Sequence, residues 1–81
     1  MNLEILTPDK KVFEGEINAV TVPGSSGSFQ ILRDHAPIIS TLEDGTVIVK
    51  TNSGDTHYQI KGGVVEALSN KIVVLAEAVV A

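Results

Sequence analysis

Gly27–Gly45, GSFQILRDHAPIISTLEDG, is the stretch that decides the fold. Two runs of apolar side chains flank a stiff corner, Asp34-His35-Ala36-Pro37. In Ser28–Arg33, Phe29 and Ile31 alternate with Ser28, Gln30 and Arg33, while Leu32 falls on the second face. Such alternation puts successive side chains on opposite faces of a half-buried strand. Pro37 keeps Ala36 out of the helical region, so the chain turns there. Ile38–Leu42 is the next apolar segment, and Glu43-Asp44-Gly45 closes it with a hairpin signal. No residue of the stretch looks like catalytic equipment, and the corner is expected to be shown to a partner.

Strand patterns continue on both sides. Towards the N-terminus, Asn2–Thr7 alternates with Leu3 and Ile5 on one face, and Pro8-Asp9-Lys10 breaks it. Val12-Phe13 reads as a brief strand before Gly15, and Glu16–Val22 as another extended segment. Pro23-Gly24-Ser25-Ser26-Gly27 is the longest turn-rich tract. Towards the C-terminus, Thr46–Thr51 carries Val47 and Val49 on one side; Asn52-Ser53-Gly54-Asp55 turns; Thr56–Lys61 follows with Tyr58 and Ile60 inward. Gly62-Gly63 marks a bulge or sharp corner. Val64–Leu68 and Lys71–Val80 are the last segments, joined at Ser69-Asn70. Turn signals recur about every eight to twelve residues without a sustained helical period, which predicts an all-β sandwich or small barrel.

Composition narrows the function. The 81 residues form one small domain, 43% hydrophobic and 20% charged, without cysteine. Neither disulfides nor thiolate metal sites can reinforce it. Its net charge is −4, and the basic residues Lys10, Lys11, Arg33, Lys50, Lys61 and Lys71 are scattered. A chain with no basic stripe and few aromatics is not expected to bind nucleic acid. MNLEIL lacks the features of a signal peptide, and no apolar run reaches the roughly 18 residues of a membrane span. The expectation is a soluble, cytoplasmic protein, able to join a membrane complex only through other proteins.

The chemistry that could be drawn from these residues is weak. Asp34 and His35, with Ser25, Ser26, Ser28 and Ser40 near in sequence, lack the geometry of a triad, because neighbours in an extended chain point to opposite faces. Gly24–Ser28 has no Lys-Ser/Thr ending and opens no helix, so it is not a phosphate loop. His35 and His57 would have to recruit carboxylates to hold a metal, and none is expected. Glu14 and Glu16 read as solvated turn charges. By subtraction the chain is a binding or structural module. One excess supports this: Ile72-Val73-Val74-Leu75-Ala76, Ile38-Ile39 and Val64-Val65 place apolar groups on both strand faces. That surplus marks either a partner surface or strands covered on both sides within a barrel.

The run from Gly27 to Pro37, followed by Leu42-Glu-Asp-Gly45, closely resembles the ε subunit of F-type ATP synthases. Leu6-Thr7-Pro8 leading to Val12-Phe13-Glu14-Gly15, Lys61–Glu66 with its Gly-Gly corner, and Val73–Glu77 extend the likeness over essentially the whole chain. The resemblance implies that residues 1–81 are the amino-terminal sandwich, or flattened barrel, of two roughly five-stranded, mainly antiparallel sheets. It implies a non-catalytic rotor component of the central stalk, which binds the γ subunit and the c-ring and couples proton transport to ATP synthesis. By position, Thr7, His35 and Ser40 match γ contacts, and Ser26, Gly27 and Ser28 match the c-ring loop. No cofactor, metal or bound ATP is implied for this part, and the isolated chain is expected to be monomeric. Its place would be peripheral, on the cytoplasmic face of the bacterial inner membrane.

Relatives continue into a two-helix domain that can inhibit hydrolysis or bind ATP; here Ala81 falls where those helices would begin, so neither property is expected of these residues. Two departures stand out. Gln30 takes a place where many relatives have glycine, and Asp34 one where Gly or Asn is commoner, so the corner is expected to be set somewhat differently. The alternatives are a β-sandwich adaptor outside the synthase, binding a protein or a peptide strand at its edge, and a small hydrolase using His35.

Overall fold

The computed structural model describes residues 1–80. They form eight strands: β1 (Asn2–Leu6), β2 (Lys11–Glu16), β3 (Ala19–Gly24), β4 (Gly27–Leu32), β5 (Ile38–Leu42), β6 (Gly45–Thr51), β7 (Gly54–Leu68) and β8 (Lys71–Val79). One sheet runs β4-β3-β6 to the first half of β7, where the end of β8 joins through Ile60↔Val79. The other runs β2-β1-β8 to the second half of β7 and then β5. All pairings are antiparallel except β1 with β8. The expected sandwich of two roughly five-stranded sheets is thus present, with β7 and β8 shared between them.

β7 is a single strand of 15 residues where the sequence pattern suggests two segments separated by Gly62-Gly63. Both glycines sit at positive φ, 47° and 133°, so the backbone bends from one sheet into the other while keeping its ladder. A Cβ at Gly63 would overlap the Leu75 carbonyl, so no other residue fits without moving β8. Pro23-Gly24 also belongs to a strand, and the turn shrinks to Ser25-Ser26 between paired Gly24 and Gly27. Pro23 is tolerated there because β3 pairs β6 only through Thr21 and β5 only at Gly24. Its missing N–H falls in the gap between those partners.

The inner faces supply the core. Val20, Val22, Ile31, Val47, Val49 and Ile60 from the first sheet meet Leu3, Ile5, Val65, Ile72 and Val74 from the second. All of these are buried aliphatics, and burying each contributes about 1.5–3 kcal/mol before entropy is counted. Phe13 of β2 and Tyr58 of β7 close one flank, with ring centroids 6.2 Å apart. Among the described residues no buried side-chain polar atom lacks a partner.

The register defines two ends. The turn Ser25-Ser26, the link Glu43-Asp44, the bend at Gly62 and the turn after Thr7 share one end, because Gly24 pairs Leu42, Leu42 pairs Gly63, and Gly63 pairs Ala76 beside the end of β1. We call this the hairpin end. The Arg33–Pro37 crossing from β4 to β5 lies at the other, the corner end, with the turns Asn52-Ser53 and Ser69-Asn70.

Candidate functional site

The outer face of the second sheet carries the unexplained apolar surface. Cross-strand partners share a face, so Thr41, Val64, Leu75 and Leu6 form one row across β5, β7, β8 and β1. The next row towards the corner end is Ile39, Glu66, Val73, Glu4 and Glu14. Leu68 lies one row beyond. Ile39 is 72% exposed, Leu68 57% and Leu75 51%, while their sequence neighbours Val74 and Ala67 are in the core. The apolar surplus of Ile38-Ile39, Val64-Val65 and Ile72–Ala76 is therefore open to solvent on this side, and coverage on both sides within a barrel is not what these residues show. Leu6 and Leu68 belong to the same surface and follow from strand parity once the register is known.

Carboxylates share this surface. Glu66 stands within it, between Ile39 and Val73, and Glu4 and Glu14 continue that row towards the β1–β2 edge. The Lys11 ammonium reaches Glu14 at 2.8 Å and Glu4 at 3.2 Å. Its hydrogen bond to Lys11 holds the Glu14 carboxyl below the usual carboxylate range, and the bonds to Glu14 and then Glu4 raise the lysine. The face is thus apolar with carboxylates among its rows. Such a surface suits an apolar partner that also carries basic groups.

The residues matched to γ contacts do not gather at one point. Thr7 closes the turn at the hairpin end: its amide donates to the Lys10 carbonyl at 2.9 Å and its Oγ1 accepts from the Lys10 amide at 3.2 Å. His35 is exposed at the corner end. Ser40 sits on β5 opposite buried Val65, so it shares the inner face and is half-buried; its Oγ donates to the Thr41 carbonyl at 3.1 Å. The outer positions of β5 belong to Ile39 and Thr41. Ser26 and Gly27 form the tip of the β3–β4 hairpin with Ser28 following, all exposed. Ser25 Oγ and Thr41 Oγ1, 2.8 Å apart, tie this hairpin to β5.

The corner is built more tightly than its sequence indicates. The His35 amide donates to the Leu32 carbonyl at 3.2 Å, closing a turn whose third residue, Asp34, has φ 64°. That position ordinarily goes to glycine or asparagine. Asp34 holds it while bonded to Asn70 of the β7–β8 turn: its amide donates to Asn70 Oδ1 at 2.7 Å, and Asn70 Nδ2 donates to Asp34 Oδ1 at 2.9 Å. Asn70 is itself left-handed, φ 62°, and its carbonyl accepts from the Asn2 amide at 2.9 Å. His35 Nδ1 donates to the Ala36 carbonyl at 2.6 Å, leaving Nε2 for a partner. Asp34 and Asn70 are 36 apart in sequence, and no local signal joins them. Among the described residues no group of three or more His, Cys, Asp or Glu could hold a metal.

The family model for the β-sandwich domain of the ATP synthase delta/epsilon chain matches residues 1–81. The ATP synthase epsilon chain of Chlorobaculum tepidum is 46% identical over 79 residues, covering 95% of this chain and 89% of that one. The epsilon chain of Salinibacter ruber is 40% identical and covers 98% of this chain, which spans 59% of the Salinibacter protein. In fold, the chain is similar to chains in the mitochondrial ATP synthase of Euglena gracilis (TM-score 0.89, 21% identity, 96% of this chain and 51% of that chain) and in the central stalk and c-ring structure of Tetrahymena thermophila (TM-score 0.81, 20% identity, 99% and 65%). With its whole length matched, the chain belongs to the ATP synthase delta/epsilon family, as the β-sandwich domain of an epsilon chain.

Proposed function

We propose that this sandwich is the part of a central-stalk rotor subunit that binds γ and rests on the c-ring, so that rotation driven by proton transport reaches the catalytic subunits. It supplies no catalytic group of its own. The observation that carries this reading is the apolar face of exposed Ile39, Val64, Leu68 and Leu75 with half-buried Leu6, interspersed with carboxylates. Contiguous exposed apolar surface on a small domain usually marks a protein partner.

The register constrains how γ would lie. Thr7 and His35 are at opposite ends of the second sheet, with the apolar rows between them. A partner that touches both must run along the strands and cover that face. Ser40, on the inner side of an edge strand, would be reached only from the open β5 edge. The Ser26–Ser28 hairpin sits at the end opposite His35, so one end of the sandwich meets the ring while its flank meets γ. Such a subunit would be peripheral, held at the cytoplasmic face of a bacterial inner membrane through its protein partners, and the 81 residues would act as one module.

Co-purification with the cognate γ subunit tests the reading. Retention of the folded chain on immobilised γ is expected, and a folded chain that passes through unbound would overturn it.

A further inference from the structure

We infer that Asp34 and Asn70 form a positioning clamp that sets the His35 corner for the central-stalk partner. The inference rests on the proposed function, and it assigns to two residues outside the expected contact set the task of presenting one inside it.

The geometry argues for a clamp with a purpose beyond closing a turn. Glycine at position 34 would adopt φ 64° without penalty, whereas aspartate there carries a left-handed cost. What the aspartate side chain adds is the 2.9 Å bond from Asn70 Nδ2 to its Oδ1, which makes reciprocal the 2.7 Å bond that the backbone amide of residue 34 donates to Asn70 Oδ1. Through the Asn70 carbonyl and the Asn2 amide, the exposed corner is fastened to the first strand of the γ-facing sheet. Among the described residues the corner, Arg33–Pro37, is otherwise joined to its surroundings by one backbone bond, from the His35 amide to the Leu32 carbonyl, and it connects edge strand β4 to β5. Ordering such a segment before the partner arrives removes an entropic cost from binding.

The test combines four variants with two readouts. Asp34→Gly keeps the backbone geometry and removes the bond to Oδ1 while leaving the amide bond to Asn70; Asn70→Gly removes both bonds and keeps its own backbone geometry, since Asn70 also has positive φ. Asp34→Asn keeps the Oδ1 acceptor and a residue type at home in the left-handed region. In the free chain, His35 amide exchange should quicken roughly tenfold in Asn70→Gly and in the double variant alike, and by a smaller factor in Asp34→Gly, with Asp34→Asn close to wild type. On immobilised γ, dissociation should quicken roughly five- to tenfold in Asn70→Gly and the double variant and less in Asp34→Gly, while the melting temperature of Asp34→Gly stays within a few degrees of wild type. Multiplying effects in the double variant, or wild-type His35 exchange in either single one, would overturn the clamp. Faster exchange with unchanged dissociation would overturn its presenting role. Failure of the wild-type chain to bind γ, with His35 exchange responding as described, would remove the partner reading while leaving the clamp in place.

Discussion

At the hairpin end the chain turns on glycine. Gly62 and Gly63 bend β7 between sheets, and the Ser25-Ser26 turn is framed by Gly24 and Gly27. At the corner end Gly54 is joined at positive φ by Asp34, Ser69 and Asn70, and side-chain amides join the loops: Asn70 to Asp34, and Asn18 Nδ2 to Asn52 Oδ1 at 2.9 Å. Glycine solves a steric problem locally and leaves the surface without side chains. Asparagine and aspartate solve the same backbone problem at some conformational cost but tie distant loops together. One end is set mainly by backbone fit, with short ties such as Ser25 Oγ to Thr41 Oγ1 and the Gly62 amide to Asp44 Oδ1, whereas the other adds side-chain bonds between loops far apart in sequence.

The largest expected effect lies at the hairpin end. Gly63→Ala places a methyl group into the Leu75 carbonyl at a φ of 133°, and should destabilise the chain by more than about 3 kcal/mol in chemical denaturation. A loss under about 1 kcal/mol would show that β8 yields and that the bend is not sterically fixed. Asn70→Ala at the corner end combines left-handed strain with two lost hydrogen bonds, for about 2 kcal/mol by the same measurement. Asp34→Gly separates those terms, because relief of strain offsets the one lost bond; its stability should stay within about 1 kcal/mol of wild type. If it fell as far as Asn70→Ala, the contrast between the ends would collapse.

The smallest effect is expected at the exposed Lys11 bridge. Glu14 is held below its ordinary pKa, so its contribution is present above the unfolded carboxylate value and lost as pH falls through the folded one. Lys11 is raised, so its contribution is complete below its unfolded value and lost as pH rises through the folded one. The difference in melting temperature between wild type and Lys11→Met should be flat near neutrality and shrink at both extremes. A difference that grew on acidification would contradict this assignment.

Much of the architecture was legible from alternation. Leu3 with Ile5, Val47 with Val49, and Ile60 all point inward as the pattern predicts, and the hairpins at Asn52-Ser53 and Ser69-Asn70 fall where the turn residues put them. The continuity of β7 was not legible, because Gly-Gly ends a strand as often as it bends one, and only the approach of Leu75 distinguishes the two. The apolar excess on β5, β7 and β8 was visible as broken alternation. That Leu6 and Leu68 join it depends on which strands become neighbours. The Asp34–Asn70 pair was hidden for the same reason: its members are near only after the two sheets have closed.

The most direct test of the central claim is the affinity of γ for chains altered on either sheet. Leu75→Glu places a charge in the middle of the apolar face without touching the core, since that side chain is 51% exposed. His57→Glu does so on the same strand as Val64 but in the other sheet, at an exposed position. The account predicts at least a roughly tenfold weaker affinity for Leu75→Glu and wild-type affinity for His57→Glu, by titration calorimetry. Unchanged affinity in Leu75→Glu, with the protein folded, would contradict it.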